Sequence, residues 1–156
     1  LVLESIGRVQ DREITVSYPK KTEFEEASVD VVAGTVNLDD NFYAKKLEVS
    51  VAAGEFTNDS TITAEKAELT VGTGNIDLEN LKVQNLEADC GIGNIDLGID
   101  GKEKDYDYEI SCAAGAIDIG DSSFSGLGHE KKISNPGSSG KMTFDCGVGN
   151  ITVDFE

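Results

Sequence analysis

VGTGNIDL (71–78) and CGIGNIDL (90–97) are almost the same eight residues, written twice nineteen positions apart. Four looser copies complete the set: VVAGTVNL (31–38), VAAGEFTN (51–58), CAAGAIDI (112–119) and CGVGNITV (146–153). All six align without gaps on Gly34, Gly54, Gly74, Gly93, Gly115 and Gly149. A fixed period near 20 residues marks an array of stacked units, each too small to bury its own apolar face.

Counting from the glycine gives the faces. Apolar residues recur seven, five, three and one positions before it. The column at three before reads Val31, Val51, Val71, Cys90, Cys112 and Cys146; the column at one before reads Ala33, Ala53, Thr73, Ile92, Ala114 and Val148. This alternation predicts a strand with one buried face. Beyond the glycine the apolar positions shift by one, to two and four after it: Val36, Phe56, Ile76, Ile95, Ile117, Ile151, and Leu38, Asn58, Leu78, Leu97, Ile119, Val153. A one-residue slip turns a strand inside out unless the chain bends. A bend at each glycine keeps both strands facing inward.

The expected fold is therefore all-β: a single parallel β-solenoid of about six coils with a repeat of roughly 20 residues. Residues 1–26, with the alternation Ile14, Val16, Tyr18, form an N-terminal strand or cap, and 27–156 form the coils as one domain. The best helical candidate, EFEEAS (23–28), is short. Anchor spacings of 20, 20, 19, 22 and 34 residues leave extra chain before Gly149. The Ser- and Gly-rich stretch 121–140, which holds Pro136, reads as an exposed loop insertion.

The net charge is −17. Such a surface excludes nucleic acid and anionic membranes as partners of the fold, since both need basic faces. No run approaches the roughly 18 apolar residues of a membrane helix, so no direct membrane insertion is expected. The chain starts at Leu1, and the expectation is that a targeting or anchoring segment lies outside it.

Candidate chemistry is sparse. Cys90, Cys112 and Cys146 share a column with three valines, where a thiol packs as a small hydrophobe. Stacking would also hold neighbouring Cβ atoms further apart than a relaxed disulfide prefers. Asp77, Asp96 and Asp118 share the column three after the glycine, and stacked carboxylates repel one another and attract cations. The GxGNID pattern shares its residue types with nine-residue calcium repeats. It has twice their period and lacks their glycine pair, and one column offers too few of the six to eight oxygens calcium takes. Asn75, Asn94 and Asn150 are placed to form a stacked amide ladder. A phosphate loop would need a GK[ST] ending. His129, the single histidine, falls in the predicted loop as a solvated residue. Enzymes built on parallel coils run longer than this chain, and hexapeptide acyltransferases have shorter periods. The expectation is no catalytic residue, no metal site and no cofactor.

LEVSVAAGEF (47–56), LTVGTGNIDL (69–78), LEADCGIGNIDL (86–97), YEISCAAGAIDIG (108–120) and MTFDCGVGNITVDF (142–155) together resemble a bacterial family of envelope domains labelled adhesins, with its toast-rack relatives. The resemblance spans roughly 27–155. It implies a β-solenoid carried at the cell surface, often behind a membrane anchor, and it brings no catalytic residues. The expected function is thus a non-enzymatic, extracytoplasmic interaction scaffold meeting a protein or glycan partner. The alternative is a self-assembling structural module, a homo-oligomer or filament. A carbohydrate-acting enzyme ranks third, because it needs paired carboxylates at a defined separation.

Overall fold

The computed structural model describes residues 2–5, 16–19 and 21–156, with backbone alone for 2–5, Gly126 and His129. The chain is all-β, and its sheet is mostly parallel. Strand β1 is Val2–Ser5, β2 Glu23–Val31, β3 Gly34–Leu38, β4 Phe42–Ile99, β5 Tyr106–Ile119, β6 Ser122–Ile133 and β7 Gly140–Phe155; a 3-10 turn at Glu103–Asp105 precedes β5. β4 bends through three copies of the repeat, those of Gly54, Gly74 and Gly93.

Equivalent residues lie on one another. β2 sets Val29 on Val49 and Val31 on Val51, and β3 sets Gly34 on Gly54. The glycines are needed because the chain approaches itself closely at the bend. A Cβ on Gly74 would stand 2.2 Å from the Gly54 carbonyl oxygen, and one on Gly93 1.9 Å from that of Gly74. Gly93 also takes φ +153°, whereas at Gly74 the reason is proximity alone.

The columns at seven, five and three before the glycine are buried throughout, as are those after it except at the first copy, where Val36 and Leu38 are half-buried. Phe42, Ala44, Ile62, Ala64, Leu81 and Val83 close the third side of the core. At one end the rings of Tyr18, Phe24 and Phe42 pack together, Phe24 and Phe42 stacked at 5.3 Å. Among the described residues one polar side chain is buried in the core, Asn58 at 2% exposure. Its Oδ1 accepts the Glu79 N–H (2.9 Å) and its Nδ2 donates to the Ser60 carbonyl.

Two expectations are corrected. The column one before the glycine faces outward, not inward. Ile92 is 57% exposed and Val148 55%, because the bend begins two residues ahead of the glycine and the alternation breaks there. EFEEAS, the best helical candidate in a chain expected to hold almost no helix, opens strand β2, where it packs on β4. Most of the expected loop 121–140 is strand β6, leaving only 134–139 as connection. Ile14 lies outside the described residues, and Val16 and Tyr18 are in irregular chain.

The order of the sheet is β1-β2-β4-β7-β5-β6. The last copy does not stack at the end. It lies between β4 and β5, parallel to both, setting Gly149 against Gly93 and Gly115, and Cys146 against Cys90 and Cys112. The cause is the hairpin. Gly120 (φ +52°) and Asp121 make a two-residue turn that sends β6 back antiparallel along the outer edge of β5. With that edge taken, the chain returns over the start of β5 and enters the space left between β4 and β5. Tyr106 braces this space: its hydroxyl reaches from β5 to the Val83 carbonyl (2.8 Å), and its ring crowds Gly140 of β7.

Candidate functional site

The thiol column is packing. Cys90, Cys112 and Cys146 are buried and unbridged. Burial pushes the Cys146 thiol up to about 12, aided by its two thiol neighbours, and burial raises Cys90 as well. A thiol so far from ionising is a poor nucleophile and a poor metal ligand. His129 is the register partner of Cys112 on β6, but its side chain lies outside the described residues.

The acidic column is broken by the insertion of β7. Thr152 pairs in register with Asp96 on one side and Asp118 on the other. Asp118 is thereby two strands from Asp96, and the three-carboxylate stack expected from sequence does not form. Among the described residues no group of three or more His, Cys, Asp or Glu is arranged to hold a metal ion. The amide ladder does form, and through the inserted strand: Asn94 Nδ2 donates to Asn75 Oδ1 and Asn150 Nδ2 to Asn94 Oδ1, each at 3.3 Å.

Charges separate by face. On the face before the glycine, Lys46 lies near Glu26, Glu48 and Glu68, while Lys66 pairs with Glu68 and approaches Glu87. Further along, Glu109 accepts from Lys132 and Lys141, each at 2.8 Å, and these bonds hold its carboxyl down to about 2. The face after the glycine carries Asp39, Glu55, Asp59, Asp77, Glu79, Asp96, Asp118 and Asp154 and no Lys or Arg.

Between the two faces runs the bend, and it is uncharged. Residues 52–54, 72–74, 91–93, 113–115 and 147–149 include no ionisable side chain. From this strip of Gly and Ala, aliphatic side chains protrude on neighbouring strands. The registers place Ile92, Val148, Ala114 and Leu127 in one line, and Leu127 is 89% exposed. A line of exposed aliphatics on a molecule otherwise covered in charge is what contact surfaces look like. The alternation had assigned Ile92 and Val148 to the core. The signal that separates them is the glycine at two before the anchor (Gly72, Gly91, Gly147), where the bend has already begun. Leu127, flanked by Gly126 and Gly128, lay in the expected loop.

A concavity of about 330 Å³ is lined by Tyr18, Lys21, Asp39, Asp40, Asn41, Tyr43 and Ser60. Asp39 is engaged by Asn37 Nδ2 (2.8 Å) and Asn41 by the Thr61 N–H (3.1 Å). Among the described residues no helix is long and apolar enough to cross a membrane.

The model of one protein family, Toastrack DUF4097, matches residues 4–153. No curated protein and no solved structure matches the chain.

Proposed function

The chain belongs to the Toastrack DUF4097 family, and from that premise we propose that it is a non-enzymatic interaction scaffold, a β-solenoid of about six coils and a roughly 20-residue repeat displayed outside the cytoplasm at the cell surface. The observation that carries this reading is the uncharged ridge of Ile92, Val148 and Leu127. A protein or glycan partner docks there, where no carboxylate has to be desolvated. Sugar rings present apolar faces that suit such a ridge, and so do aliphatic patches on proteins. The charged faces on either side keep the domain soluble and repel acidic competitors.

The test is binding of labelled domain to intact cell surfaces and to a glycan array, comparing wild type with Ile92→Asp and Leu127→Asp. The expected result is saturable binding that falls at least tenfold in either variant while the thermal transition stays in place. Binding unchanged by both substitutions would remove the ridge from the proposal. Turnover in a parallel glycan hydrolysis screen would replace the scaffold with the carbohydrate-acting enzyme.

A further inference from the structure

The seating of β7 has a consequence independent of the ridge. β7 fills a space bounded by two strands that belong to other parts of the chain, β4 on one side and β5 on the other. Neither boundary needs β7 to be covalently close. We infer that this space is an acceptor slot for the last strand of a second copy, and that the protein forms a reciprocal dimer in which each copy lends β7 to the other.

One inward position sets this segment apart from the other copies. At five before the glycine the other copies carry Val29, Val49, Leu69, Ala88 and Ile110. β7 alone carries a ring there, and Phe144 lies in register with Ala88, the smallest residue of that column. Phe144 is fully buried. The glycine at the bend is equally demanded: a Cβ on Gly149 would stand 1.9 Å from the Gly93 carbonyl oxygen, and one on Gly115 would stand 1.9 Å from that of Gly149. A β7 strand meets both requirements, the chain's own or that of a second copy.

The connection decides between closing on itself and lending. Residues 134–139 are pinned over the start of β5. Asp107 Oδ1 accepts the Asn135 N–H (2.7 Å) and the Ser138 hydroxyl (2.8 Å), and the Asn135 amide donates to the Tyr106 carbonyl (2.7 Å). Exchange keeps every β4–β7 and β7–β5 contact and alters only these few. The balance between the two forms therefore rests on the connection and on protein concentration.

Two ion pairs report which form is present. Lys141 on β7 and Lys132 on β6 both pair with Glu109 on β5. In an exchanged dimer Lys141 comes from the other copy, while Lys132 stays with its own Glu109. The experiment unfolds a one-to-one mixture of unlabelled and nitrogen-15-labelled full-length chain, refolds it at high concentration and isolates the dimer. The zero-length carbodiimide cross-links are then read by mass spectrometry.

Asp107→Ala, which frees the connection, is run beside wild type. So is deletion of residues 135–138, which leaves too little chain to pass around β5 across two strand spacings of about 4.8 Å each. The expected result is a dimer fraction that rises at least tenfold in the deletion and severalfold in Asp107→Ala. About half of its Lys141–Glu109 links should be mixed-label, and essentially none of its Lys132–Glu109 links. A dimer in which both links are same-label is a side-by-side contact and overturns the proposal. So does a folded, monomeric deletion variant. If the deletion does not fold, Asp107→Ala decides by the same label pattern, and its failure to dimerise at any concentration counts against exchange.

Discussion

The strands from β2 through β4 and those from β5 through β7 use one repeat to build in two different ways. In the first region each copy lies on its predecessor, with partners about 20 residues apart in sequence, as in Val29 on Val49. In the second, neighbours are Cys90 and Cys146, then Cys146 and Cys112. Phe144 apart, side-chain chemistry does not distinguish them, since inward columns and bend glycines are alike. The connections do. Short returns such as Asn58–Ser60 keep the chain on the next level. The Gly120–Asp121 hairpin reverses it, and the sheet can then be completed only from within. A repeat thus specifies what a strand packs with, and the linkers specify when.

That contrast predicts where damage spreads. Gly149→Val puts a side chain against the Gly93 carbonyl at a backbone of φ +153°, in a strand held on both edges. It should cost more than about 4 kcal/mol. Gly34, at the beginning of the glycine column, has no atom of the described residues within 4 Å of where a Cβ would go, and its φ is +129°. Gly34→Val should cost about 1–3 kcal/mol. Chemical denaturation ranks the pair, and equal costs would break the distinction between the inserted level and the first level of the glycine column.

Phe144→Ala should cost about 3–5 kcal/mol. Its effect should be regional: amide hydrogen exchange should accelerate across β5, β6 and β7 while Leu47–Val51 stay protected. Leu69→Ala, in the same column of β4, should loosen both regions. Identical exchange patterns would mean that the two regions open as one unit.

A smaller effect comes from Asp89 and Asp145, register partners across the β4–β7 boundary. Partial desolvation of its carboxyl, with Glu87 and Asp145 beside it, raises Asp89 above the ordinary value although the residue is exposed. A group that binds its proton more tightly when folded destabilises the protein above its folded value. The penalty from Asp89 is therefore relieved as pH falls from its raised folded value toward the ordinary carboxylate value. Asp145→Asn should add up to about 1 kcal/mol at neutral pH and reduce that pH dependence in part, since desolvation and Glu87 remain; a thermal melt series from pH 7 downward checks both. Smallest of all, Ile92→Asp should change stability by less than about 0.5 kcal/mol, because its side chain already faces water. A large loss there would return the bend residues to the core.

Much of this was legible in the residues. The buried columns at seven, five and three before the glycine, the two after it and the asparagine ladder all follow from counting, because burial acts on single positions with a fixed period. The level each copy occupies was not legible: one inward column fits any neighbour equally well, so Cys146 reads the same whether it ends the stack or divides it. β6 was hidden by composition. Ser122, Ser123, Ser125 and Gly128 look like a loop, yet Gly120-Asp121 between IDI and SSF carries the two-residue hairpin signal. The ridge was missed because alternation was carried one step too far, through Ile92 and Val148 into the bend.

Asn58 gives the stack an origin. A set of interchangeable units has no intrinsic zero, and a chain that settles one whole unit out of place satisfies nearly all of its contacts. One carboxamide in a column of aliphatics removes that degeneracy. Its oxygen is matched by the Glu79 N–H and its nitrogen by the Ser60 carbonyl, and a displaced strand would leave a buried amide unmet at a cost of about 1–3 kcal/mol. What looks like a blemish in the core is the index mark from which the other levels are counted.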